Sequence, residues 1–351
     1  MWGQLISCEL HYLRPRSTSG SASHLSPHPI PSLPSLPLPP KPSPRENQLF
    51  IMAAASATVK PNVHCLFHTD TFTCTYIVSC PNTSKTIVVD PVMDYDAAAA
   101  RTGNTHSEKV VAYIEENKLD VELIAETHVH ADHLTGASWL KDTLSAKTAI
   151  GAHVTDVQVM FKALFNLGDE FKTDGSQFDI LYNDGDKFTV GDLQCSVIHT
   201  PGHTPACVTY VIGDAVFTGD TIFMPDFGTA RCDFPGGSAT ALYNSIHEKQ
   251  YKLPAEYRCF VGHDYPKSAG RDGPVWETTM GAQQTGNKHL TVDTTEEEYV
   301  AMRTARDATL GAPRLLLPSL QVNLRNGELP PAESNGTSYL KLPVNVVGGK
   351  K

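Results

Sequence analysis

The chain has 351 residues, of which 40% are hydrophobic and 19% are charged, and its formal net charge is -10. This length and composition predict a full-sized apolar core, arranged as one large domain or two small ones. The acidic balance argues against a nucleic-acid partner, because phosphate binding needs a concentrated basic surface. No apolar run reaches the roughly 18 residues of a membrane-spanning helix, so no membrane span is expected.

Residues 1–52 form a separate segment by composition. Serine and proline dominate between Ser26 and Ser43, and such a segment cannot bury enough apolar surface to fold, so disorder is predicted. The scarcity of acidic residues matches an organelle transit peptide, but an upstream translated segment before a natural start at Met52 fits equally well. The eight cysteines include no Cys-x-x-Cys pair, which favours a reducing compartment. The expected location is therefore mitochondrial or cytoplasmic.

A folded domain is predicted from about residue 60 to residue 351, with elements that can be assigned in chain order. Apolar runs at 86–89 and 121–126 predict strands, and helices are predicted at about 107–118, 134–144 and 239–252. Alternation through Leu193, Cys195 and Val197 predicts a further strand, and short apolar runs on both sides of residues 213–214 predict a hairpin.

The C-terminal extension, about residues 290–351, is predicted to begin with a helix at 294–310. Thr294 and Glu297 have the spacing of a capping box. The proline-punctuated tail that follows is expected to pack on the core or on a second subunit, so a homodimer stays open.

Residues 127–133, Thr-His-Val-His-Ala-Asp-His, follow the predicted strand 121–126 directly. This segment holds four potential metal ligands, namely His128, His130, Asp132 and His133. In an irregular loop the four can converge, whereas on an ideal strand His133 would face away from the other two histidines. Imidazole is the commonest metal ligand in proteins, so the segment predicts a metal site at a strand end.

Four more polar residues end short β-like runs, namely Asp90, His203, Asp220 and His263. In three of the four cases a glycine stands immediately before the polar residue, which lets the backbone turn sharply where the strand ends. The repetition predicts that several strands deliver ligands to one edge of a sheet.

These ordered motifs resemble those of the metallo-β-lactamase superfamily, which are an Asp, His-x-His-x-Asp-His, a His, an Asp and a His. Here they correspond to Asp90, residues 128–133, His203, Asp220 and His263, within a resemblance that covers about residues 60–351. The resemblance implies an α+β fold, in which two mixed β-sheets form an αββα sandwich with outer helices and the metal site lies at one edge.

Within the superfamily, residues 219–234 and 262–265 resemble the persulfide dioxygenases, or sulfur dioxygenases, of the ethylmalonic-encephalopathy-protein type. The family's usual Gly-Arg-Thr-Asp-Phe is Ala-Arg-Cys-Asp-Phe here, at residues 230–234. The resemblance implies that Arg231, Asp233 and Tyr265 belong to the substrate site. It also implies that a thiol persulfide, such as glutathione persulfide, is oxidised by O₂ to sulfite in hydrogen sulfide detoxification.

The resemblance further implies one Fe²⁺ per chain, held by His128, His203 and Asp220. Two imidazoles and one carboxylate on one face leave three positions open, enough for a substrate sulfur and O₂. The remaining residues of the motifs would orient the iron ligands through hydrogen bonds. They are His130, Asp132, His133 and His263.

Two alternatives stay open. A hydrolase of the glyoxalase II type would hold two Zn²⁺ and cleave a thioester with a metal-activated water. In that case one Zn²⁺ would be held by His128, His130 and His203. The other would be held by Asp132, His133 and His263, and Asp220 would bridge the two ions. The third reading is a non-catalytic interaction domain braced by a metal. It is disfavoured because structural metal sites are usually closed and rich in cysteine.

Overall fold

The computed structural model describes residues 59–346, so the predictions for residues 1–52 lie outside the described part. Two six-stranded mixed sheets dominate this part of the chain. The first sheet has the order β1-β2-β3-β6-β8-β9 and the second β10-β11-β12-β13-β14-β15, while β5-β4-β7 form a small third sheet. The strands are β1 Asn62–His68, β2 Thr73–Ser79, β3 Lys85–Val89, β4 Val92–Asp96, β5 Arg101–Gly103, β6 Asp120–Ala125, β7 Leu134–Thr135, β8 Lys147–Gly151, β9 Ile180–Tyr182, β10 Lys187–Val190, β11 Leu193–His199, β12 Val208–Ile212, β13 Ala215–Phe217, β14 Arg258–Phe260 and β15 Glu277–Thr279.

The main core lies between the two large sheets, because alternate side chains of each strand point to that interface. In β2, Tyr76 and Val78 belong to the core between the sheets, while Ile77 between them packs on the outer face with the helices. The second sheet contributes Val197 and Phe217 to the same core. Residues on both faces are buried, as expected for sheets that are covered on both sides.

Seven α-helices cover the outer faces in the described residues. They are α1 Thr105–Glu116, α2 Ala137–Leu144, α3 Val154–Leu164, α4 Ala239–Asn244, α5 Met280–Gly286, α6 Glu296–Asp307 and α7 Leu316–Asn323. Val110 of α1 and Leu140 of α2 pack on the outside of the first sheet. Leu242 of α4 and Tyr299 of α6 pack on the outside of the second sheet. The predicted αββα sandwich is therefore confirmed. None of these helices is both long and apolar enough to cross a membrane.

Two predicted boundaries were wrong. The helix predicted at 134–144 begins only at Ala137, because Leu134 and Thr135 form β7 and pair with β4. The helix predicted at 294–310 is α6, which spans Glu296–Asp307. Its capping box consists of Thr295 and Glu298, not of Thr294 and Glu297 as predicted. The Thr294 hydroxyl instead accepts a hydrogen bond from the Thr291 amide in the preceding turn.

The hairpin prediction is confirmed, since β12 and β13 are antiparallel neighbours with Ile212 opposite Ala215. The helix predicted at 239–252 consists of α4, one π-helical turn over Ser245–Lys249 and a 3₁₀ turn over Gln250–Lys252. The C-terminal segment contributes Leu316 and Leu320 of α7 to an apolar cluster that also contains Val129 and Ala131. Helix α7 therefore packs beside the loop that carries the His-x-His-x-Asp-His motif.

Candidate metal centre

The motif residues meet at one edge of the sandwich, where several strands end. Asp90 follows β3, residues 128–133 follow β6, and His263 follows β14. His203 lies between β11 and β12, and Asp220 is the third residue after the end of β13. The sequence prediction placed all of these residues at strand ends, and the fold brings those ends together.

Glycines make the close approach possible, for two different reasons. Gly219 has a φ of +49°, and a Cβ there would lie 2.4 Å from the Thr127 hydroxyl oxygen, so only glycine is free of strain and collision. Gly262 has no such φ, but a Cβ would lie 2.9 Å from a carboxylate oxygen of Asp220. Space, not a sharp turn, therefore selects glycine before His263.

The candidate ligands form two neighbouring sets. In the first set, His128, His203 and Asp220 each offer an atom within 4.8 Å of the other two. The second set obeys the same limit and consists of His130, Asp132, His133 and His263. Sequence reasoning about a di-metal hydrolase placed His130 with His128 and His203, whereas the geometry groups its ligand atom with the second set.

Six of these side chains each have a buried nitrogen or oxygen atom without any hydrogen-bond partner. They are Nε2 of His128, His133 and His263, Nδ1 of His130, and one carboxylate oxygen each of Asp132 and Asp220. An unsatisfied buried polar atom costs roughly 1–3 kcal/mol. A cation that coordinates these atoms would remove that cost for all of them at once. The set of nitrogen and oxygen donors therefore fits a metal ion.

Backbone carbonyls hold three of the histidines in the tautomer that a metal needs. His203 donates from Nδ1 to the carbonyl of Arg231 at 2.8 Å, and His263 donates to that of Phe72 at 3.1 Å. His133 donates in the same way to the carbonyl of Leu134. A carbonyl can only accept, so each Nδ1 carries the hydrogen and each Nε2 presents its lone pair to the site.

The remaining two histidines depend on Asp90, which sits just behind the ligands. His130 donates from Nε2 to Asp90 and Glu126, each at 3.1 Å, which leaves Nδ1 free. The Thr127 hydroxyl donates to Asp90 at 2.8 Å and therefore accepts from Nδ1 of His128 at 3.0 Å. Asp90 has a φ of +51°. In this left-handed backbone conformation the carboxylate contacts His130 directly and His128 through the Thr127 hydroxyl.

Burial controls the charge state of the ligands. Burial lowers the pKa of His128 well below its usual value and is the largest cause that lowers the pKa of His133 to about 3. Burial also lowers the pKa of His203, although Asp220 opposes the shift. These imidazoles are neutral at physiological pH, which is the form that binds a metal.

Asp220 lies between the two sets. One carboxylate oxygen is 3.8 Å from Nε2 of His203, and the other is 3.3 Å from Nε2 of His263. Burial raises the pKa of this carboxyl, with the nearby histidines opposing the shift. The carboxylate can therefore serve either one set or both.

The loop after Ala230 adjoins the first set. Arg231 donates to both carboxylate oxygens of Asp233, at 2.6 and 2.7 Å, and to the carbonyl of Gly311 at 2.8 Å. Its guanidinium also lies 4.9 Å from the ring centre of Phe234, and that ring meets His203 edge-on at 5.1 Å. Arg231 and Asp233 are thus together, as the sequence predicted, beside a ligand of the first set.

Tyr265 adjoins the second set. Its ring stacks against His263 with centres 5.9 Å apart, and it also contacts Phe227 at 4.8 Å. Burial, followed by the charges of Asp132 and Asp220, raises the pKa of the Tyr265 phenol well above its usual value. The hydroxyl is therefore protonated at neutral pH and can only act as a hydrogen-bond donor or acceptor.

Sequence reasoning missed the supporting residues. Glu126 accepts hydrogen bonds from His130 and from the Thr135 hydroxyl, and Thr127 connects Asp90 to His128. A carboxylate at the end of an apolar strand was the available signal for Glu126. Helix α6 contributes Asp307, which accepts from the backbone amide of Cys232 at 2.8 Å.

Fold and ligand set together define an enzyme of the metallo-hydrolase type. The profile of the metallo-beta-lactamase superfamily matches residues 69–263, and the chain belongs to that superfamily. It is 51% identical over 265 residues to "Glyoxylase B2" of Dictyostelium discoideum, which covers 75% of this chain and 90% of that protein.

More distant similarity connects the chain to the persulfide dioxygenases. It is 27% identical over 264 residues to "Persulfide dioxygenase ETHE1, mitochondrial" of Homo sapiens, covering 75% of this chain and 87% of that protein. The crystal structure of ETHE1 from Myxococcus xanthus superposes with a TM-score of 0.61 and 26% identity, covering 76% of this chain and all of that one. The resemblance predicted from the motifs is thereby confirmed.

Proposed function

We propose that the protein is a persulfide dioxygenase with one Fe²⁺ per chain at His128, His203 and Asp220. Its substrates would be O₂ and a thiol persulfide, such as glutathione persulfide, in hydrogen sulfide detoxification. One persulfide, one O₂ and one water give one thiol, one sulfite and two protons. Ferrous iron held by these three residues would supply open coordination positions for the persulfide sulfur and O₂.

The separation of the two ligand sets carries this proposal. The first set contains only two imidazoles and one carboxylate, because the free nitrogen of His130 groups with Asp132, His133 and His263. Two histidines and one carboxylate are the ligand combination of non-haem Fe²⁺ oxygenases. The relationship to persulfide dioxygenase ETHE1 supports the same reading.

The chain's own groups have defined tasks in this proposal. The Arg231 carbonyl orients His203. The substrate loop, by which we mean residues 231–234, therefore contacts a candidate metal ligand directly. We assign Arg231 to a carboxylate of the thiol carrier, with Asp233 holding the guanidinium plane in place. We assign the protonated Tyr265 hydroxyl to a hydrogen bond with the bound substrate.

A thioester hydrolase of the glyoxalase II type is the second candidate. The position of Asp220 favours it, since its two oxygens face His203 and His263 on opposite sides, as a carboxylate bridging two Zn²⁺ would. The name of the Dictyostelium relative, "Glyoxylase B2", points in the same direction.

The two candidates differ in their need for O₂. One iron-loaded sample and one zinc-loaded sample should be assayed for oxygen uptake with glutathione persulfide and for cleavage of S-lactoylglutathione. We expect the iron-loaded protein to consume one O₂ per persulfide and to release sulfite. Thioester cleavage without oxygen uptake would establish the hydrolase instead, and the absence of both activities would leave the metal-braced interaction domain.

A pair of histidine variants connects the activity to the first ligand set. His203→Ala should abolish both iron binding and oxygen uptake, because a ligand is lost. His199→Ala is the matched control, since His199 lies just before the same loop, but its ring donates to the Pro205 carbonyl, stacks on His153 and belongs to neither ligand set. Equal losses in the two variants would contradict the assignment.

A further inference from the structure

The last residue of α7, Asn323, contacts the metal loop through its side chain. Its amide nitrogen donates to the carbonyls of His130 and His133, both at 2.8 Å. Its amide oxygen accepts from the backbone N–H of Thr135, also at 2.8 Å. The residue is 3% exposed. One buried amide therefore satisfies three backbone groups within a stretch that supplies His130, Asp132 and His133.

The contact is specific because the loop has no regular structure there. Residues 126–133 belong to no helix or strand, so their buried backbone groups have no ladder to complete. An asparagine side chain presents two donors and one acceptor, which matches two carbonyls and one N–H. An apolar side chain at this position would leave all three backbone groups without a partner.

Apolar packing holds the same helix against the same loop. Leu316, Leu320 and Leu324 share a buried cluster with Val129 and Ala131, the residues that alternate with the ligands. Gly327 comes so close that a Cβ would lie 2.9 Å from the Thr135 carbonyl oxygen. The contact of Asn323 is thus part of an extended fit between the C-terminal segment and the loop.

We infer that Asn323 is a positioning residue of the metal centre, acting through the backbone of His130, His133 and Thr135. It fixes the spacing of the ligands in the second set and keeps them aimed at the site when no metal holds them there. The superfamily profile ends at residue 263, so this function belongs to the segment that lies beyond the matched region. The inference needs only that the site binds a metal and is independent of which reaction follows.

Gln321 offers a matched control two residues earlier. It is equally buried, and its side chain also makes three hydrogen bonds, but these join the carbonyls of Leu317 and Lys341 and the N–H of Lys341. Asn323→Asp and Gln321→Glu each replace two donors with a carboxylate oxygen that faces two carbonyls. The pair therefore separates loss of a buried amide from loss of contact with the metal loop.

The test is Co²⁺ binding, measured by competition with a chromophoric chelator and by the visible absorption of the bound ion. Asn323→Asp and Asn323→Ser should bind Co²⁺ at least about tenfold more weakly than wild type and show a shifted absorption band. Gln321→Glu should keep wild-type affinity and spectrum despite a similar loss of thermal stability. Wild-type affinity in both Asn323 variants, or equal losses in Gln321→Glu, would overturn the inference.

Hydrogen exchange on the unmodified chain covers the case in which the Asn323 variants do not fold. Adding Co²⁺ should slow exchange in the peptide spanning residues 316–326, because a contact that strengthens metal binding is itself strengthened by the same factor when the metal is bound. The peptide spanning α1 is the internal control and should not change. No slowing at 316–326 on metal binding would equally overturn the inference.

Discussion

Replacing Asp307 by alanine should destabilise the protein strongly. Arg303 is 1% exposed and donates to the Asp307 carboxylate from Nε, at 2.9 Å, and from Nη2. The same carboxylate accepts from the Cys232 amide, and Arg303 also donates to the Thr229 carbonyl at 3.1 Å. The ion pair therefore joins α6 to the loop that orients His203.

The size of the effect follows from which groups are left unpaired. Asp307→Ala leaves a buried guanidinium without its counterion, at a cost of about 3–5 kcal/mol. The Cys232 amide also loses its acceptor, which adds about 1–3 kcal/mol. In the double variant Arg303→Met with Asp307→Leu the charge is gone but the Thr229 carbonyl is left unpaired. We therefore expect the double variant to be roughly 2 kcal/mol more stable than Asp307→Ala.

Urea unfolding of the two variants and of wild type measures these differences. Glu297→Ala is the control, because Glu297 is an exposed acid on the same helix and should change stability by less than about 0.5 kcal/mol. A loss below about 1 kcal/mol in Asp307→Ala would refute the buried-charge reasoning. So would a double variant less stable than the single one.

Two further predictions concern the substrate loop and the dependence of stability on pH. Arg231→Lys loses the two-point contact with Asp233, so KM for glutathione persulfide should rise about 3–10-fold with little change in kcat. Oxygen uptake measures both constants. Unchanged kinetics would make Arg231 a purely structural residue. Burial lowers the pKa of His106 to about 4. Below about pH 6.5 the unfolded chain therefore binds more protons at this residue than the folded chain does. The free energy of unfolding should fall as the pH decreases from about 6.5 to 4, with His106 contributing about 1–3 kcal/mol. Urea unfolding with EDTA present should show a shallower decline for His106→Gln, and identical slopes for variant and wild type would contradict this.

The clustering of the candidate ligands at one edge could be predicted because their signal is local. Each follows a short β-like run, and a ligand motif directly after a strand can be recognised within a few residues of the chain. The fold then requires only that those strand ends meet. Element ends were harder to predict. Leu134 has the apolar character of a helix face, but its pairing with Met93 in β4 places it in a strand.

The residues that support the ligands could not be predicted in this way. Asn323 is separated by 193 residues from His130 and by 190 from His133, and no local pattern reports such a contact. The only signal was a run of polar side chains, Ser319, Gln321 and Asn323, in an otherwise apolar helix. A buried polar group needs a partner, but the sequence does not say which partner it has.

The assembly of the site from distant segments affects when a metal can be captured. Asp90 follows β3, His263 follows β14, which pairs with β13 of the second sheet, and Asn323 ends α7 near the C-terminal end of the described residues. A chain that has not closed both sheets presents scattered histidines and carboxylates, whose affinity for any one ion is low. Metal binding therefore favours the completed native state over partly folded ones, and its free energy adds to the stability of the whole domain.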